Sequence, residues 1–187
     1  MSLSQTEIDR LRRSLLAWYQ RQGRDLPWRN IRDPYAIWVA EIMLQQTQVK
    51  TVIPYYQRWL SQFPTVEALA IADLQQVLKV WQGLGYYARA RNLHLAAKIV
   101  LEQYHGVFPR QLEAVLQLPG IGRTTAGGIL SAAFNLPLSI LDGNVKRVLA
   151  RLTALTVPPG KALKSLWHLS DTLVDPTHPH AFNQAAL

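Results

Sequence analysis

Apolar residues recur along this chain at the three- and four-residue spacing of amphipathic helices. Near the N-terminus, Ser4 and Glu7 form an S-x-x-E capping box, and an apolar stripe follows from Ile8 to Trp18. Gly23 supplies a stop signal for this segment. The pattern therefore predicts an amphipathic helix between the capping box and Gly23.

A second helix start stands at Asp33 and Pro34, which are typical of an N-cap and a first helical position. The apolar stripe of this segment includes Ile42, and Glu41 lies one position off it. A last helix is predicted to begin near residue 181. Between these segments, helical spacing and stop signals predict further helices at about 52–60, 66–70, 73–80, 87–104, 111–117, 123–134, 144–155 and 160–174.

Alternating apolar and polar positions, the pattern of a strand, are scarce throughout the sequence. The fold class is therefore predicted to be all-α, with 187 residues forming one domain or two closely packed subdomains. No apolar run reaches the length of about 18 residues that a membrane span needs. The N-terminus lacks the pattern of a secretory signal, so a cytoplasmic location is expected, nucleoid-associated if the source is bacterial.

Charge and cysteine content narrow the classes of function. The net charge of +8 favours a polyanionic partner, with nucleic acid first among them. The sequence contains no Cys, which excludes disulfides, thiolate metal sites and a thiol nucleophile for this chain. The five His residues show no metal-pair spacing, so no metal site is assigned, and His178-Pro179-His180 is interpreted as a solvated turn.

A glycine-rich turn stands before the predicted helix at 123–134. Gly120 and Gly122 precede Arg123, Thr124 and Thr125, so backbone N–H groups at the helix start could hold a phosphate without reading sequence. Taken alone, the glycines favour a closely packed helix corner. The complete string at 118–126 resembles the hairpin of helix-hairpin-helix DNA glycosylases, and the chain is most similar to their MutY family of adenine glycosylases.

Five ordered strings carry this resemblance. They are LPWR at 26–29, EIMLQQTQV at 41–49, GLGYYARARN at 83–92, LPGIGRTTA at 118–126 and LDGNVKRV at 141–148. The resemblance implies a two-lobed helical fold with DNA between the lobes. A six-helix lobe would span about residues 30–135 and include the hairpin 118–126. Residues 1–29 and 136–187 would form the second lobe, incomplete at the C-terminus.

The resemblance also implies a chemistry with two carboxylates. Glu41 matches the family's acid, Asp142 matches its ionised carboxylate, and Asn144 helps to orient the site. A proton on Glu41 near neutrality requires burial or a nearby negative charge. Without the resemblance, each residue taken singly favours a simpler interpretation: Glu41 is a solvated helix carboxylate and Asp142 is an N-cap of the next helix. Asp142 could serve both purposes.

The remaining site residues also come from the resemblance. Gln46 and Tyr86 match positions that enter the base stack. Without the resemblance, Tyr86 would be interpreted as a core aromatic. Lys146 would be interpreted as a member of a surface ion pair. The implied adenine pocket contains Arg24, Leu26, Trp28, Arg29, Leu44, Val49, Thr124 and Gln184. The implied DNA contacts are Gln46, Tyr86, Gly120, Gly122, Arg123, Thr125, Arg89, Arg91 and Lys146.

The expected activity is monofunctional hydrolysis of adenine from double-stranded DNA, opposite 8-oxoguanine or guanine, by a monomer. Related enzymes that cut the strand carry a lysine in the hairpin helix where this chain has Thr124. A thymine or uracil mismatch glycosylase is the enzymatic alternative. Complete family members continue into a segment whose cysteines hold a [4Fe–4S] cluster, and this chain has no Cys to bind one. A DNA-binding remnant without catalysis is therefore the other alternative.

Overall fold

The molecule is built from helices joined by short turns. The computed structural model describes residues 3–187, and no strand occurs among them. Within that range none of the helices combines the length and apolar character of a bilayer-spanning segment. The helices are α1 (Gln5–Gln22), α2 (Pro34–Leu44), α3 (Val49–Gln62), α4 (Val66–Ile71), α5 (Leu74–Trp81), α6 (Ala88–Tyr104), α7 (Leu112–Leu116), α8 (Arg123–Phe134), α9 (Gly143–Leu152), α10 (Leu163–Leu173) and α11 (Pro179–Ala185).

The helix starts that the sequence signals are confirmed. Ser4 and Glu7 form the reciprocal capping box of α1. The Asp33 side chain accepts a hydrogen bond from the Tyr35 N–H, and Pro34 occupies the first position of α2. Caps of this kind satisfy backbone donors that have no partner within the helix.

Helix α3, at Val49–Gln62, extends beyond the predicted 52–60, and three other helix boundaries also differ from the prediction. Helix α9 ends at Leu152 rather than near Leu155, because Ala154 adopts a left-handed φ of 47°. The predicted helix at 160–174 begins as a 3₁₀ turn, Pro159–Ala162, before α10. Helix α11 starts at Pro179, two positions earlier than predicted. Proline is tolerated there because its missing backbone N–H would have no acceptor within the first turn of the helix.

Buried apolar side chains form two clusters. The larger one draws its residues from 26–132 and includes the fully buried Trp38, Trp59 and Trp81. The smaller one joins Ile8 of α1 to buried residues between 140 and 182. Leu26 and Trp28 belong to the larger cluster, although the sequence assigned residues 1–29 to the second lobe. The predicted lobe boundaries themselves stay a prediction.

The segment between α8 and α9 runs from one cluster to the other and is held by polar side chains. Asn183 Nδ2 donates to the Leu138 carbonyl over 2.9 Å. Ser170 Oγ donates to the Ile140 carbonyl over 2.8 Å. Buried backbone carbonyls need such partners, so these bonds fix the path of the chain up to residue 142.

Candidate active site

A cavity of about 340 Å³ lies where α2, α8 and α9 meet the segment at 24–29. Its volume falls within the usual range of small-ligand sites. Every residue assigned from the sequence to catalysis or to base binding lines it. These are Glu41, Asp142 and Asn144 together with Arg24, Leu26, Trp28, Arg29, Leu44, Val49, Thr124 and Gln184. The structure thus brings the set together, and the role of each member stays a prediction.

Glu41 lies in the last turn but one of α2 and opens onto the cavity. Burial raises the pKa of its carboxyl to about 7, and the negative charge of Asp142 acts in the same direction. Both effects disfavour a second negative charge in an enclosed site. The interpretation of Glu41 as a solvated surface carboxylate is therefore wrong, and near neutral pH the group can hold a proton and donate it.

Asp142 is the N-cap of α9 and faces the same cavity. Its Oδ1 accepts from the Val145 N–H over 2.8 Å, and its Oδ2 accepts from Asn144 Nδ2 over 3.3 Å. The positive end of a helix stabilises negative charge at this position. The cap prediction is confirmed, and the same geometry presents a carboxylate to the cavity across from Glu41.

Two consecutive glycines in α8 make room for both carboxylate-bearing segments. A Cβ on Gly127 would lie 2.3 Å from the Ser139 carbonyl oxygen, on the path that leads to Asp142. A Cβ on Gly128 would lie 2.8 Å from Oε2 and 3.0 Å from Oε1 of Glu41. Glycine inside a helix costs stability relative to alanine, so close approach is the reason for both.

Gly128→Ala is expected to move the Glu41 carboxyl out of position. The added Cβ would meet the carboxylate well inside van der Waals contact, so Glu41 must shift. We expect the activity that the resemblance implies, measured as single-turnover base release, to fall by about 10-fold to 100-fold, with duplex binding retained. Gly160→Ala is the matched control, because a Cβ there meets open space. An unchanged rate in Gly128→Ala would show that this contact does not position Glu41.

Glu41→Gln is expected to change how stability depends on pH. The folded pKa of about 7 stands above the reference value of 4.5, so the folded state binds more protons between these values. The free energy of unfolding of the parent therefore falls as pH rises through this window, by at most about 3 kcal/mol.

Glutamine does not titrate, so the variant should gain stability over the parent at pH 8 relative to pH 5. Urea unfolding at the two pH values measures this difference. Glu113→Gln on α7, which changes an exposed carboxylate, is the control. An equal stability difference at both pH values for Glu41→Gln would contradict the raised pKa.

The base-binding wall is organised by Arg29. Its Nε donates to Gln184 Oε1 over 3.0 Å, and its Nη1 donates to the Arg24 carbonyl over 2.7 Å. Because a guanidinium only donates, the Gln184 amide must turn its oxygen to Arg29, which leaves its NH₂ group for the cavity. Trp28 packs edge-on against Tyr56, with ring centroids 5.2 Å apart, and so forms a fixed apolar wall.

Two exposed turn tips stand at Gln46 and Tyr86. Gln46 follows α2 with a left-handed φ of 58°, and Tyr86 precedes α6 with a φ of 49°. The Tyr86 side chain is 62% exposed, so the interpretation of it as a core aromatic is wrong. An aromatic ring held at a turn tip is available to another molecule.

The hairpin between α7 and α8 exposes the start of α8. Gly120 has a φ of 81°, a left-handed conformation that favours glycine. Gly122 is the N-cap of α8, provides no side-chain cap, and has open space where a Cβ would be. The first N–H groups of α8 are therefore left without a side-chain acceptor, as a phosphate site requires.

Three predicted DNA contacts are placed differently. Arg89 is buried and donates to backbone carbonyls, so its prediction as a DNA contact is wrong. Arg123 Nη2 donates to both carboxylate oxygens of Asp171 on α10 over 2.8 Å each; the pair is exposed, so the contact of Arg123 with DNA stays a prediction. Thr125 is buried, and its Oγ1 accepts from Gln45 Nε2 over 3.1 Å. Each of these three side chains makes a polar contact within the protein.

The other predicted DNA contacts lie on the surface. Arg91 is exposed on α6. Lys146 lines a separate groove on α9 together with Arg147 and Arg151. Grouped basic side chains of this kind suit a phosphate backbone. Their contact with DNA stays a prediction.

The segment His178-Pro179-His180 forms the start of α11, and only part of it is solvated. His178 is exposed, but Pro179 is buried and His180 is half-buried, with Nε2 3.2 Å from the Arg29 carbonyl oxygen. Burial lowers the pKa of His180. The solvated-turn interpretation is therefore wrong for His180, which packs behind the base-binding wall.

A metal or cluster site does not fit the side chains present. Within residues 3–187 no three His, Cys, Asp or Glu side chains come close enough to hold a metal ion. An iron–sulfur cluster of the kind found in the resembling family needs thiolates, and the sequence has no Cys.

The cavity also has walls that sequence reasoning missed. Helical spacing gave no sign that the residues just after α2 return to the cavity, or that the end of the α8–α9 segment closes it. The missed lining residues are Gln45, Thr47, Gln48, Ile140 and Leu187. The Gly127-Gly128 pair, unusual inside a helix, was the available signal for close packing at this site.

Two curated relatives match nearly the whole of this chain. The mouse protein named adenine DNA glycosylase is 48% identical over 97% of this chain and 37% of its own length. The Buchnera aphidicola (strain Bp) protein of the same name is 46% identical over 93% of this chain and 50% of its own length. The chain thus spans half or less of the length of these curated relatives.

Solved structures and family models agree on the fold. A structure described as a thermostable thymine-DNA glycosylase superposes with a TM-score of 0.87 at 28% identity, covering 96% of this chain and 83% of that one. The model of the HhH-GPD superfamily base excision DNA repair proteins matches residues 39–170. Because that match covers most of the sequence and includes both carboxylates, the chain belongs to the HhH-GPD superfamily of base excision DNA repair proteins.

Proposed function

We propose that this chain is a monofunctional DNA glycosylase that hydrolyses the N-glycosidic bond of adenine mispaired with 8-oxoguanine or guanine. One observation carries the proposal: Glu41, with a pKa raised to about 7, and Asp142 face the same cavity of about 340 Å³. An acid and an ionised carboxylate are the pair that glycosidic cleavage uses. The names of the relatives support adenine as the base.

The target base must leave the duplex before it reaches this cavity. Flipping a nucleotide costs a few kcal/mol, and groups that fill the gap offset the cost. Gln46 and Tyr86 are suited to this because both stand at exposed turn tips. The start of α8 and the basic groove of Lys146 would hold the phosphates on either side.

In the chemical step, the proton on the Glu41 carboxyl passes to a ring nitrogen of adenine. The bond between base and sugar then breaks, and its electron pair leaves with the protonated base. Positive charge develops on the sugar, and the nearby Asp142 carboxylate stabilises it. Water adds to the sugar carbon, and its proton returns to Glu41, which completes hydrolysis.

The cavity favours hydrolysis over strand cleavage. Strand-cutting relatives use a lysine amine to form a Schiff base with the sugar. Within residues 3–187 no lysine lines the cavity. At the hairpin position where those relatives carry the lysine, this chain has Thr124. Lys146 lines a different groove. Water therefore serves as the nucleophile.

A second candidate is a mismatch glycosylase for thymine. It is favoured by the high structural similarity to a chain described as a thymine-DNA glycosylase. The Gln184 NH₂ group can donate to a ring nitrogen of adenine or to a carbonyl of thymine, so it does not separate the two candidates. The two candidates differ in the base released, so one assay separates them.

The test is single-turnover base release at low salt from duplexes that contain adenine opposite 8-oxoguanine, thymine opposite guanine, or uracil opposite guanine. Release of adenine supports the proposal, and release of a pyrimidine supports the second candidate. A folded chain that binds all three duplexes and releases nothing is a DNA-binding protein without this activity. Strand breaks without added alkali would contradict the monofunctional assignment.

A further inference from the structure

Arg89 connects the two exposed turns that bear Gln46 and Tyr86. Its Nη1 donates to the carbonyls of Ile42 and Met43, over 3.1 and 2.9 Å, and also to that of Gln45. These carbonyls belong to the end of α2 and the turn after it, where backbone donors run out and the helix end favours a cation, although the Ile42 carbonyl also accepts from the Gln45 N–H. One nitrogen therefore fixes the turn that carries Gln46.

The other terminal nitrogen of Arg89 reaches the second turn. Its Nη2 donates to the Leu84 carbonyl over 3.4 Å and the Gly85 carbonyl over 3.3 Å. The same nitrogen donates to Thr47 Oγ1 over 3.1 Å, and the Arg89 Cζ lies 5.4 Å from the Tyr86 ring centroid. The guanidinium thus bridges the two turns and contacts the aromatic tip itself.

Both tips are backbone positions that need such support. Gln46 and Tyr86 have φ values of 58° and 49°, which side chains with a Cβ adopt at a cost. Positions of this kind persist where the surrounding structure over-determines them, and they cluster at functional sites. Arg89 is the buried group that donates to both of the turns that contain them.

We propose that Arg89 is a positioning residue that couples the Gln46 and Tyr86 tips, so that both enter the duplex as one rigid unit when a base is extruded. The extrusion part of this inference rests on the proposed function. The coupling part is a property of the free protein. Arg89 is only 9% exposed, so its guanidinium contacts protein groups rather than solvent.

The planar fork of arginine is required because lysine presents a single point donor. Arg89→Met keeps the apolar stem but removes every donor, so both turns should lose support together. Arg89→Lys should still reach the carbonyls at the end of α2, which also attract a cation, but not the Leu84 and Gly85 carbonyls. The two variants therefore give different expectations for the two turns.

Hydrogen exchange in the DNA-free protein tests the coupling. In Arg89→Met, amides in both 44–48 and 82–87 should exchange about tenfold or more faster than in the parent. In Arg89→Lys, only 82–87 should change. Val100→Ala, a core truncation farther along α6, controls for lost stability, and Lys98→Gln on the same helix controls for lost charge. Faster exchange in only one turn of Arg89→Met, or in neither, would overturn the coupling.

Base release at saturating protein tests the extrusion part. Arg89→Met should lower the single-turnover rate about 10-fold to 100-fold, with a smaller change in duplex affinity. In a chain that already carries Gln46→Ala and Tyr86→Ala, the same substitution should cost less than about twofold, because its effect acts through the tips. Equal losses in both backgrounds would show a merely structural role. If the parent protein releases no base, the proposed function is contradicted. The hydrogen-exchange result still decides whether Arg89 couples the two turns.

Discussion

A Glu41→Gln variant is expected to release adenine about 100-fold to 10,000-fold more slowly than the parent in single turnovers. Glutamine keeps the size and the position on α2 but cannot deliver a proton to the base. The cavity, the base-binding wall and the duplex contacts are otherwise unchanged, so affinity for an adenine:8-oxoguanine duplex should stay within about threefold. The comparison therefore isolates the proton transfer from binding.

The pH profile provides the control for this loss. With a pKa of about 7 in the folded chain, Glu41 is protonated below neutrality and loses its proton above it. The parent rate should therefore fall about tenfold per pH unit above pH 7, while the residual rate of Glu41→Gln should lack this limb. A variant that releases adenine at the parent rate, or that keeps the alkaline limb, would remove Glu41 from the mechanism.

Local signals made the positions of the two carboxylates predictable. Asp33 and Pro34 set the start of α2, and the start fixes the face on which Glu41 lies. Asp142 stands where a polar residue caps a helix, and the structure confirms that cap. Capping depends on a few neighbouring residues, so a sequence without an alignment is sufficient to locate it. That the two carboxylates share a cavity followed only from the resemblance.

Arg89 and Arg91 show where sequence reasoning fails. They stand two positions apart on the same helix, about 200° around its axis, and only Arg89 lies on the buried face that Leu93 shares. Helical spacing could separate the two, but it could not show that the partners of Arg89 are carbonyls at the end of α2, far away in the chain. Arg123 is a similar case, because its partner Asp171 lies on α10. Tertiary partners of this kind leave no local pattern.

The charge of Asp142 affects both its own role and that of Glu41, which makes Asp142→Asn the most informative second variant. Asparagine caps a helix nearly as well as aspartate, so α9 should stay intact. The substitution removes the charge that would stabilise the positive sugar, and base release should fall about 100-fold to 1,000-fold. Asp73→Asn, the same change at the N-cap of α5, controls for the effect of the cap alone.

The same variant should also move the alkaline limb of the rate profile. Burial is the first cause of the raised pKa of Glu41, and the Asp142 charge is the second. Without that charge, the pKa of Glu41 falls but stays above its reference value, so the limb should shift to lower pH and not disappear. Base release measured between pH 5 and 9 resolves the shift. A limb that stays in place would show that the two carboxylates do not interact, and the paired mechanism would lose its electrostatic basis.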